Sequence, residues 1–324
     1  MRIGREAGSR QRRVLALAVG LLAACSAPPD PGRTRPEAAH STPHAQRDLL
    51  LSGFDLLRVR YIDVGAREAP VLLLIPGHTS RIEELDALTA PLSRSHRVLV
   101  FDFPGTGYSE KPERDYTLSF YEDAAIAFLD ELGVRRTHVA GGSLGGNLAL
   151  RLAHRFPERF DRVAAWAPGS AWDAHPVWAW TLRALGGYAL FAPVVRIQSG
   201  YWYSEDWPGR DDALTDTFAY YEEVMSPGFV RMYFGMAADQ VARSLFDLAP
   251  RIGRPVWLGW GDRDHGANMG EGVARLHELL PHSELRVFPD AGHALASEVP
   301  GPLAADVEDF LTRSEADLPW AAGR

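Results

Sequence analysis

The sequence has only one cysteine, Cys25, in 324 residues. An internal disulfide needs two cysteines, so none can form, and no second thiol is available for catalysis or for a metal site. The chain also has no excess of basic residues, because its formal net charge is −8. Binding to nucleic-acid phosphates requires a basic face, so this charge argues against a nucleic-acid partner.

The first residues contain no apolar run long enough to span a bilayer comfortably. A basic stretch at 1–13 precedes the run VLALAVGLLAA at 14–24, and this arrangement is typical of a secretory signal peptide. The end of that run, Leu22-Ala23-Ala24-Cys25, resembles the lipobox of bacterial lipoproteins. The resemblance implies cleavage before Cys25, lipidation of Cys25 and an exported protein anchored in a membrane of the cell envelope. Cleavage elsewhere by an ordinary signal peptidase is the alternative.

The segment that follows is rich in proline. Residues 25–47 contain five prolines and little that is apolar, which predicts a disordered tether. Loss of residues 1–24 removes five arginines and one glutamate and takes the formal net charge from −8 to −12. Such a charge disfavours electrostatic attraction to anionic lipid, so we expect the lipid anchor alone to hold the protein at a membrane. Nothing in the sequence identifies a protein partner.

Strand and helix patterns alternate from residue 54 onward. Residues 54–65 predict two short strands or a hairpin. Six further strands are predicted at 71–75, 97–102, 138–142, 162–167, 255–260 and 284–289. Several of these runs are apolar throughout, as expected of parallel strands that are buried on both faces. The alternation predicts an α/β fold with a mostly parallel eight-stranded sheet and helices on both faces.

Helices are predicted at 119–132, 144–156 and 302–313. Ser119 and Glu122 have the spacing of a capping box at the start of the first helix, and Gly133 is expected to end that helix.

No convincing buried strand occurs between residues 169 and 250. This segment instead holds five of the nine tryptophans and six of the ten tyrosines, and we expect it to form a helical cap. The core of the fold then spans 48–168 and 251–314, and 315–324 is a C-terminal tail. Two roles stay open for the aromatic residues of the cap. They form a small core within the cap, or they line an apolar pocket.

The stretch GGSLGG at 141–146 combines glycines with one serine. A Walker phosphate loop is excluded because no lysine follows the glycines, and a G-x-G-x-x-G motif is excluded because position 143 is serine. G-x-S-x-G does fit, between a predicted strand and a predicted helix, which is the setting of a nucleophile elbow. Gly141 and Gly145 would let the backbone bend around Ser143. The pattern predicts Ser143 as a nucleophile.

A serine hydroxyl needs a base that takes its proton. His293 lies between the last predicted strand and the last predicted helix, at the sheet edge where Ser143 is expected. The loop after the strand at 255–260 offers Asp262 and Asp264 as the acid that orients this histidine. We expect the backbone N–H of Leu144, at a helix start, to stabilise an oxyanion. His78, in the turn after the first core strand, is the candidate for a second donor.

Together these motifs resemble the α/β-hydrolase family over residues 54 to 313. DFPGTGYSEKP at 102–112 is similar to the family's D-x-P-G-x-G-x-S signature, GGSLGG to its elbow, GWGDRD to its acid loop and DAGH to its histidine loop. The resemblance implies a cofactor-free triad of Ser143, Asp264 and His293, because the family's acid usually stands three residues after the loop glycine. It also implies that Asp102 shapes a loop and performs no chemistry.

Two features depart from the family pattern. Pro76-Gly77-His78 stands where the family commonly has His-Gly, which leaves the shape of the oxyanion pocket open. Gly142, before the serine, is small where many relatives carry a larger residue. Gly-Gly-Ser resembles proline iminopeptidases, although their glycine-rich oxyanion turn is absent here.

The sequence therefore predicts a serine hydrolase that cleaves a small to medium carboxylic ester, a small-molecule substrate, through an acyl-enzyme. An aminopeptidase of the proline iminopeptidase type, a C–C bond hydrolase and an acyltransferase would use the same residues and stay open. A serine at the elbow argues against haloalkane dehalogenases and epoxide hydrolases, whose nucleophile is aspartate. The alternative from another class is a membrane-tethered binding protein that has lost catalysis.

Overall fold

Eight strands form a single sheet in the computed structural model, which describes residues 42–266 and 269–320. The strands are β1 (Gln46–Leu51), β2 (Leu57–Val64), β3 (Val71–Ile75), β4 (Arg97–Phe101), β5 (Thr137–Gly142), β6 (Phe160–Trp166), β7 (Val256–Gly261) and β8 (Ser283–Phe288). Their order is β1-β2-β4-β3-β5-β6-β7-β8. Both pairings of β2 are antiparallel, and the other five pairings are parallel. The predicted mostly parallel eight-stranded sheet is thus confirmed.

Ten α-helices surround this sheet in the described ranges. They are α1 (Asp86–Leu92), α2 (Leu118–Glu131), α3 (Leu144–Arg155), α4 (Pro176–Leu185), α5 (Tyr188–Ser199), α6 (Arg210–Val224), α7 (Pro227–Ala242), α8 (Met269–Leu279), α9 (Leu295–Glu298) and α10 (Pro300–Thr312). Helices α4 to α7 lie between β6 and β7 in the chain, where the cap was predicted. None of the described helices combines the length and the hydrophobicity that a membrane crossing requires.

Both faces of the sheet are buried from β2 to β7. One face packs with α2 and α3, through residues such as Leu73, Phe128 and Leu148. The other packs with α1 and α10, through residues such as Leu72 and Phe310. Successive residues of a strand point to opposite faces, so each continuous apolar run supplies both cores at once. This is the reason that the parallel strands were recognisable from the sequence.

The N-terminal boundary differs from the prediction. The predicted signal peptide, Cys25 and most of the predicted tether lie outside the described residues. Gln46 and Arg47, assigned to the tether, instead begin β1, which pairs with β2 as a hairpin. The hairpin therefore starts earlier than the predicted 54–65. The chain reverses through Gly53, Asp55 and Leu56, all of which have positive φ, and the polar start of β1 concealed it in the sequence.

One smaller prediction is also corrected. Helix α2 begins at Leu118, and its N-cap is Thr117, whose side chain accepts a hydrogen bond from the Phe120 amide at 3.1 Å. The Ser119–Glu122 capping box is wrong, because Glu122 is buried and pairs with Arg155 at 3.2 Å. Gly133 does follow the helix end with φ of 68°. Leu318, in the predicted C-terminal tail, is buried against the core.

The DFPGTGYSEKP loop is held by one buried carboxylate. Asp102 accepts hydrogen bonds from the Ile82 amide at 2.9 Å, the Tyr108 amide at 2.8 Å and Arg60 Nε at 2.7 Å. Arg60 Nη1 in turn forms an ion pair with Glu83 Oε1 at 2.7 Å. A buried charge is tolerated only when it is paired and hydrogen-bonded. This network fixes the loop to β2 and to the turn that follows β3.

Candidate active site

Three loops at one edge of the sheet carry the polar residues of the candidate site. Ser143 follows β5, Asp264 lies in the loop after β7, and His293 lies in the loop after β8. Because β5, β7 and β8 run parallel, their carboxyl ends meet at the same edge. All three residues line one cavity there.

Ser143 has a strained backbone, with φ of 54° and ψ of −119°. The turn is anchored on both sides: the Ser143 amide donates to the Trp166 carbonyl at 3.0 Å, and the Ser143 carbonyl accepts from the Gly169 amide at 2.8 Å. A non-glycine residue in such a conformation costs about 1–3 kcal/mol and occurs mainly at functional sites. The strain therefore marks Ser143 as a residue held in place by its surroundings.

The flanking glycines allow this turn to pack closely. A β-carbon at Gly141 would stand 2.6 Å from the carbonyl carbon of Gly145, and one at Gly145 would overlap the carbonyl oxygen of Ile75. Real β-carbons essentially never come this close to another heavy atom. The elbow between β5 and α3 thus requires glycine at these two positions.

His293 and Asp264 form a direct hydrogen bond. His293 Nδ1 lies 2.8 Å from Asp264 Oδ2, and the Asp264 side chain is fully buried. Burial lowers the pKa of His293, but the neighbouring Asp264 carboxylate and its hydrogen bond outweigh burial and raise the pKa above its ordinary value. The bond occupies Nδ1 and leaves Nε2 of the ring for another partner.

Asp262 has different surroundings. Its Oδ1 accepts a hydrogen bond from the Asp290 amide at 2.7 Å, and its side chain is 42% exposed. The structure therefore places Asp264, and not Asp262, beside the histidine.

Two backbone amides are available near Ser143. Leu144 is the first residue of α3, where an amide has no intrahelical acceptor. Gly77 lies against the elbow, since a β-carbon on it would be 3.8 Å from Ser143 Cβ. The next residue, His78, also lines the cavity, and its amide donates to no acceptor in the described part of the chain. These are the positions predicted for oxyanion donors.

The His78 ring is a feature that the sequence did not indicate. It stacks on Tyr233 of α7, with ring centroids 5.0 Å apart. Burial lowers its pKa to about 4, in spite of a hydrogen bond to the Tyr233 backbone. The imidazole is therefore neutral at physiological pH and forms part of the cavity wall.

The cavity has a volume of ≈ 470 Å³ and extends beneath the cap. Six aromatic residues of the cap segment line it: Trp172, Tyr201, Trp202, Tyr203, Tyr221 and Tyr233. Others, such as Phe191, Tyr220 and Phe229, pack in the interior. Trp178 and Trp180 are exposed. The cap aromatics thus fill both of the roles left open by the sequence, and two tryptophans fill neither.

One further carboxyl group faces this cavity. Glu84 lines it and remains accessible from it, although protein atoms crowd the side chain. This desolvation raises the pKa of Glu84 to about 7, against the effect of a hydrogen bond to Ser80 and the charge of Arg81. No arginine or lysine contributes to the cavity wall among the residues that the structure describes. Glu84 lies in a short 3₁₀ turn after the Pro76-Gly77-His78 segment, and no sequence motif singled it out.

Comparisons with known proteins agree with this architecture. Residues 70–298 match the family model of the alpha/beta hydrolase fold. The 2-hydroxymuconate semialdehyde hydrolase of Pseudomonas putida is 27% identical over 286 residues, which cover 86% of this chain and 98% of the relative.

Two solved structures are also similar. The enol-lactonase from Burkholderia xenovorans LB400 has a TM-score of 0.69 and 25% identity, covering 82% of this chain and 100% of the other. A thermophilic esterase from Thermogutta terrifontis has a TM-score of 0.69 and 18% identity, covering 82% and 98%, and this likeness concerns the fold alone. With a family model that spans more than half of its length, the chain belongs to the α/β hydrolase fold family.

Proposed function

We propose that this hydrolase cleaves uncharged carboxylic esters of small to medium size, with Ser143 as nucleophile, His293 as base and Asp264 as its orienting acid. The observation that carries the proposal is the strained Ser143 in the same aromatic cavity as the His293–Asp264 pair. This constellation supplies each part that acyl transfer needs, namely a nucleophile, a base and a buried acid.

In the first half-reaction, Ser143 Oγ attacks the acyl carbon while His293 Nε2 takes the hydroxyl proton. The buried Asp264 carboxylate stabilises the imidazolium that forms. The carbonyl oxygen becomes an oxyanion, which the amides of Leu144 and His78 stabilise by hydrogen bonds. Breakage of the ester C–O bond then leaves an acyl-Ser143, and His293 returns the proton to the departing alkoxide, which leaves as the alcohol.

In the second half-reaction, a water molecule takes the place of the alcohol. His293 accepts a proton from this water as its oxygen attacks the acyl carbon. The tetrahedral intermediate collapses, the bond to Ser143 Oγ breaks, and the proton passes from His293 to the serine. The products are the carboxylic acid and the free enzyme. The proposed chemistry uses no cofactor.

The restriction to uncharged esters follows from the cavity wall. A carboxylate on the substrate would meet Glu84 and would find no arginine or lysine in the described wall. An unpaired charge in a confined site is costly. Aromatic residues instead offer apolar surface, so an apolar acyl or alcohol group fits the cavity best.

A C–C bond hydrolase is the second candidate, because the Pseudomonas putida relative is a 2-hydroxymuconate semialdehyde hydrolase. The name of that relative describes a carboxylate substrate, and Glu84 argues against such a substrate here. An aminopeptidase is the third candidate, since Glu84 could pair with a substrate ammonium group. A binding protein without catalysis is the alternative outside the enzymes, and the complete set of Ser143, His293 and Asp264 argues against it.

The proposal is tested by turnover of a substrate panel. We expect p-nitrophenyl esters with uncharged short and medium acyl groups to be hydrolysed faster than aminoacyl p-nitroanilides. We also expect their hydrolysis to be faster than C–C bond cleavage of a vinylogous 1,5-diketone that carries a carboxylate. Faster cleavage of either of the last two would replace the ester proposal with the corresponding alternative. Turnover of none of them, with no labelling by a fluorophosphonate, would favour the binding protein.

We further propose that the protein is exported and anchored by lipid at Cys25. The support is the basic start, the short apolar run and the lipobox-like Leu22-Ala23-Ala24-Cys25. Mass spectrometry of the N-terminal peptide of the membrane-extracted protein tests this. A diacylglyceryl mass on Cys25 is the expected result, and an unmodified thiol at that position would contradict the proposal.

A further inference from the structure

The cap carries an unusual concentration of exposed apolar residues. Nine large apolar side chains are exposed in the described part of the chain, and six of them lie between residues 177 and 201. These six, which we call the cap patch, are Val177, Trp178, Trp180, Leu185, Ile197 and Tyr201. Single exposed apolar residues are ordinary, but six within 25 residues of the chain favour an interaction surface.

Helix α4 is the centre of the cap patch. Its sequence is PVWAWTLRAL, yet Ala179 is its only buried residue. Trp178 is 51% exposed, Trp180 is 69% exposed and Val177 is 77% exposed. Exposing large apolar side chains to water is unfavourable in proportion to their area. The composition of this helix therefore suits an environment other than water.

The charge of this segment also differs from that of the rest of the chain. Residues 174–204 contain no aspartate or glutamate, although the whole chain has 42. Two arginines, Arg183 and Arg196, lie in the segment and are exposed. The segment that carries the cap patch thus adds two cations to an apolar surface, on a protein that is acidic overall, and one of them, Arg183, lies 4.0 Å from Asp239 of α7.

We propose that the cap patch docks on the surface of a phospholipid bilayer. Tryptophan and tyrosine favour the level of the lipid headgroups, and aliphatic side chains favour the acyl boundary below them. Arg183 and Arg196 would interact with anionic headgroups, while the absence of carboxylates from the segment removes repulsion. A second copy of the chain is a poorer partner, because an isologous contact would bring these arginines near each other.

Docking in this orientation relates the membrane to the cavity. Tyr201 belongs to the cap patch and also lines the cavity. Gln198 of α5, three residues before it, lines the cavity as well. A docked cap would therefore hold part of the cavity rim at the lipid surface, where an apolar ester accumulates. The cap patch itself is independent of whether Cys25 is lipidated.

Vesicle sedimentation tests the proposal with a protein that begins at Ser26, so that neither the apolar run at 14–24 nor a lipid on Cys25 can bind the vesicles. Binding is measured to phosphatidylcholine vesicles with and without phosphatidylglycerol. In this background, Trp178→Ser/Trp180→Ser should reduce the partition coefficient by about tenfold. Leu50→Ser/Val287→Ser, which alters two exposed apolar residues on β1 and β8, should change it little. Arg183→Gln/Arg196→Gln should weaken binding only when phosphatidylglycerol is present.

Hydrolysis of a water-soluble ester verifies that each variant is folded, because none of the altered residues lines the cavity. Equal vesicle binding by the Trp178→Ser/Trp180→Ser variant and its parent would overturn the proposal. Equal losses in that variant and in the Leu50→Ser/Val287→Ser control would do the same. If the parent forms concentration-dependent dimers in light scattering and the tryptophan variant does not, the cap patch is a dimer interface and the membrane proposal is wrong.

Discussion

The indole of Trp166 lies directly against Gly142, the residue that precedes Ser143. A β-carbon at position 142 would overlap the indole Nε1, and its next neighbours would be two indole carbons at 2.7 Å. Trp166 ends β6, and the Trp166 and Gly142 backbones are paired across the sheet. Position 142 therefore requires glycine, because a side chain there would collide with Trp166. The Trp166 ring occupies the space that the small Gly142 leaves beside Ser143.

Replacement of Gly142 by alanine should displace Trp166 and disturb the elbow. We expect Gly142→Ala to lower the free energy of unfolding by about 1–3 kcal/mol, as overpacking does, and to lower kcat/KM for a neutral ester. Chemical denaturation and ester kinetics measure the two effects. Gly253→Ala is the matched control, because a β-carbon there meets nothing within 4 Å. A Gly142→Ala protein as stable and active as that control would show that Trp166 does not constrain the position.

The elbow illustrates what a sequence can and cannot predict about this site. Gly141 and Gly145 were predictable because the G-x-S-x-G spacing names both positions, although the nearest atom to a β-carbon at Gly145 is the Ile75 carbonyl oxygen on β3. Gly142 was not, because the motif leaves that position open and its partner Trp166 lies on β6, 24 positions along the chain. Contacts between strands depend on sheet order and register, and neither is written in a local motif.

Loss of the Ser143 hydroxyl should abolish covalent labelling. Ser143→Ala removes the proposed nucleophile, so a fluorophosphonate probe should no longer label the protein, and ester turnover should fall by at least about 1,000-fold. Ser297→Ala is the matched control, since Ser297 lines the same cavity and has no proposed chemical role. Labelling that persists in Ser143→Ala and disappears in Ser297→Ala would transfer the nucleophile to Ser297.

The two loop aspartates should differ sharply in their kinetic effects. Asp264→Asn removes the charge that faces His293 Nδ1 at 2.8 Å, and we expect kcat to fall by at least about 100-fold. Asp262→Asn should have little effect on kcat, because Asp262 contacts the Asp290 amide. A larger loss of kcat in Asp262→Asn than in Asp264→Asn would reverse the assignment.

The pH profile gives a second readout of the same pair. The base must be neutral to accept the Ser143 proton, so kcat/KM should fall as the pH decreases through the pKa of His293. In the parent enzyme Asp264 raises that pKa. Asp264→Asn removes this effect, and the acidic limb of the profile should therefore move to lower pH while the plateau falls. A limb that stays in place would mean that His293 is not the titrating base.

Asp102 should matter for folding and not for chemistry. Asp102→Ala leaves the Arg60 guanidinium buried with Glu83 as its remaining ionic partner, and removing one member of a buried charge network costs about 3–5 kcal/mol. Asp48→Ala breaks a surface pair with Arg58 and should cost less than about 1 kcal/mol. Urea denaturation of both variants measures the difference. Similar losses in the two variants would contradict the structural role of the Asp102 network.

The loops of the candidate site were more predictable than their surroundings, for a physical reason. Ser143, Asp264 and His293 follow buried strands whose apolar runs are evident, and parallel strands bring their carboxyl ends together. Glu84 was not predictable, because it follows an irregular turn and enters the cavity only through the path of that turn. The cap was recognised by its lack of strands, but the packing of α4 to α7 decides which aromatics face the cavity.

Glu84 should determine the charge preference of the enzyme, and the preference should depend on pH. The pKa of Glu84 is raised to about 7, so its carboxyl is mostly neutral at about pH 6 and mostly ionised at about pH 8. The ratio of kcat/KM for p-nitrophenyl butyrate to that for mono-p-nitrophenyl succinate should therefore rise across this interval, by about tenfold. The ratio cancels the titration of His293, which both substrates share. Glu84→Gln should flatten the rise, while Asp86→Asn, two residues along the chain and outside the cavity, should keep it. A rise of the same size in Glu84→Gln would mean that a group other than Glu84 repels the carboxylate.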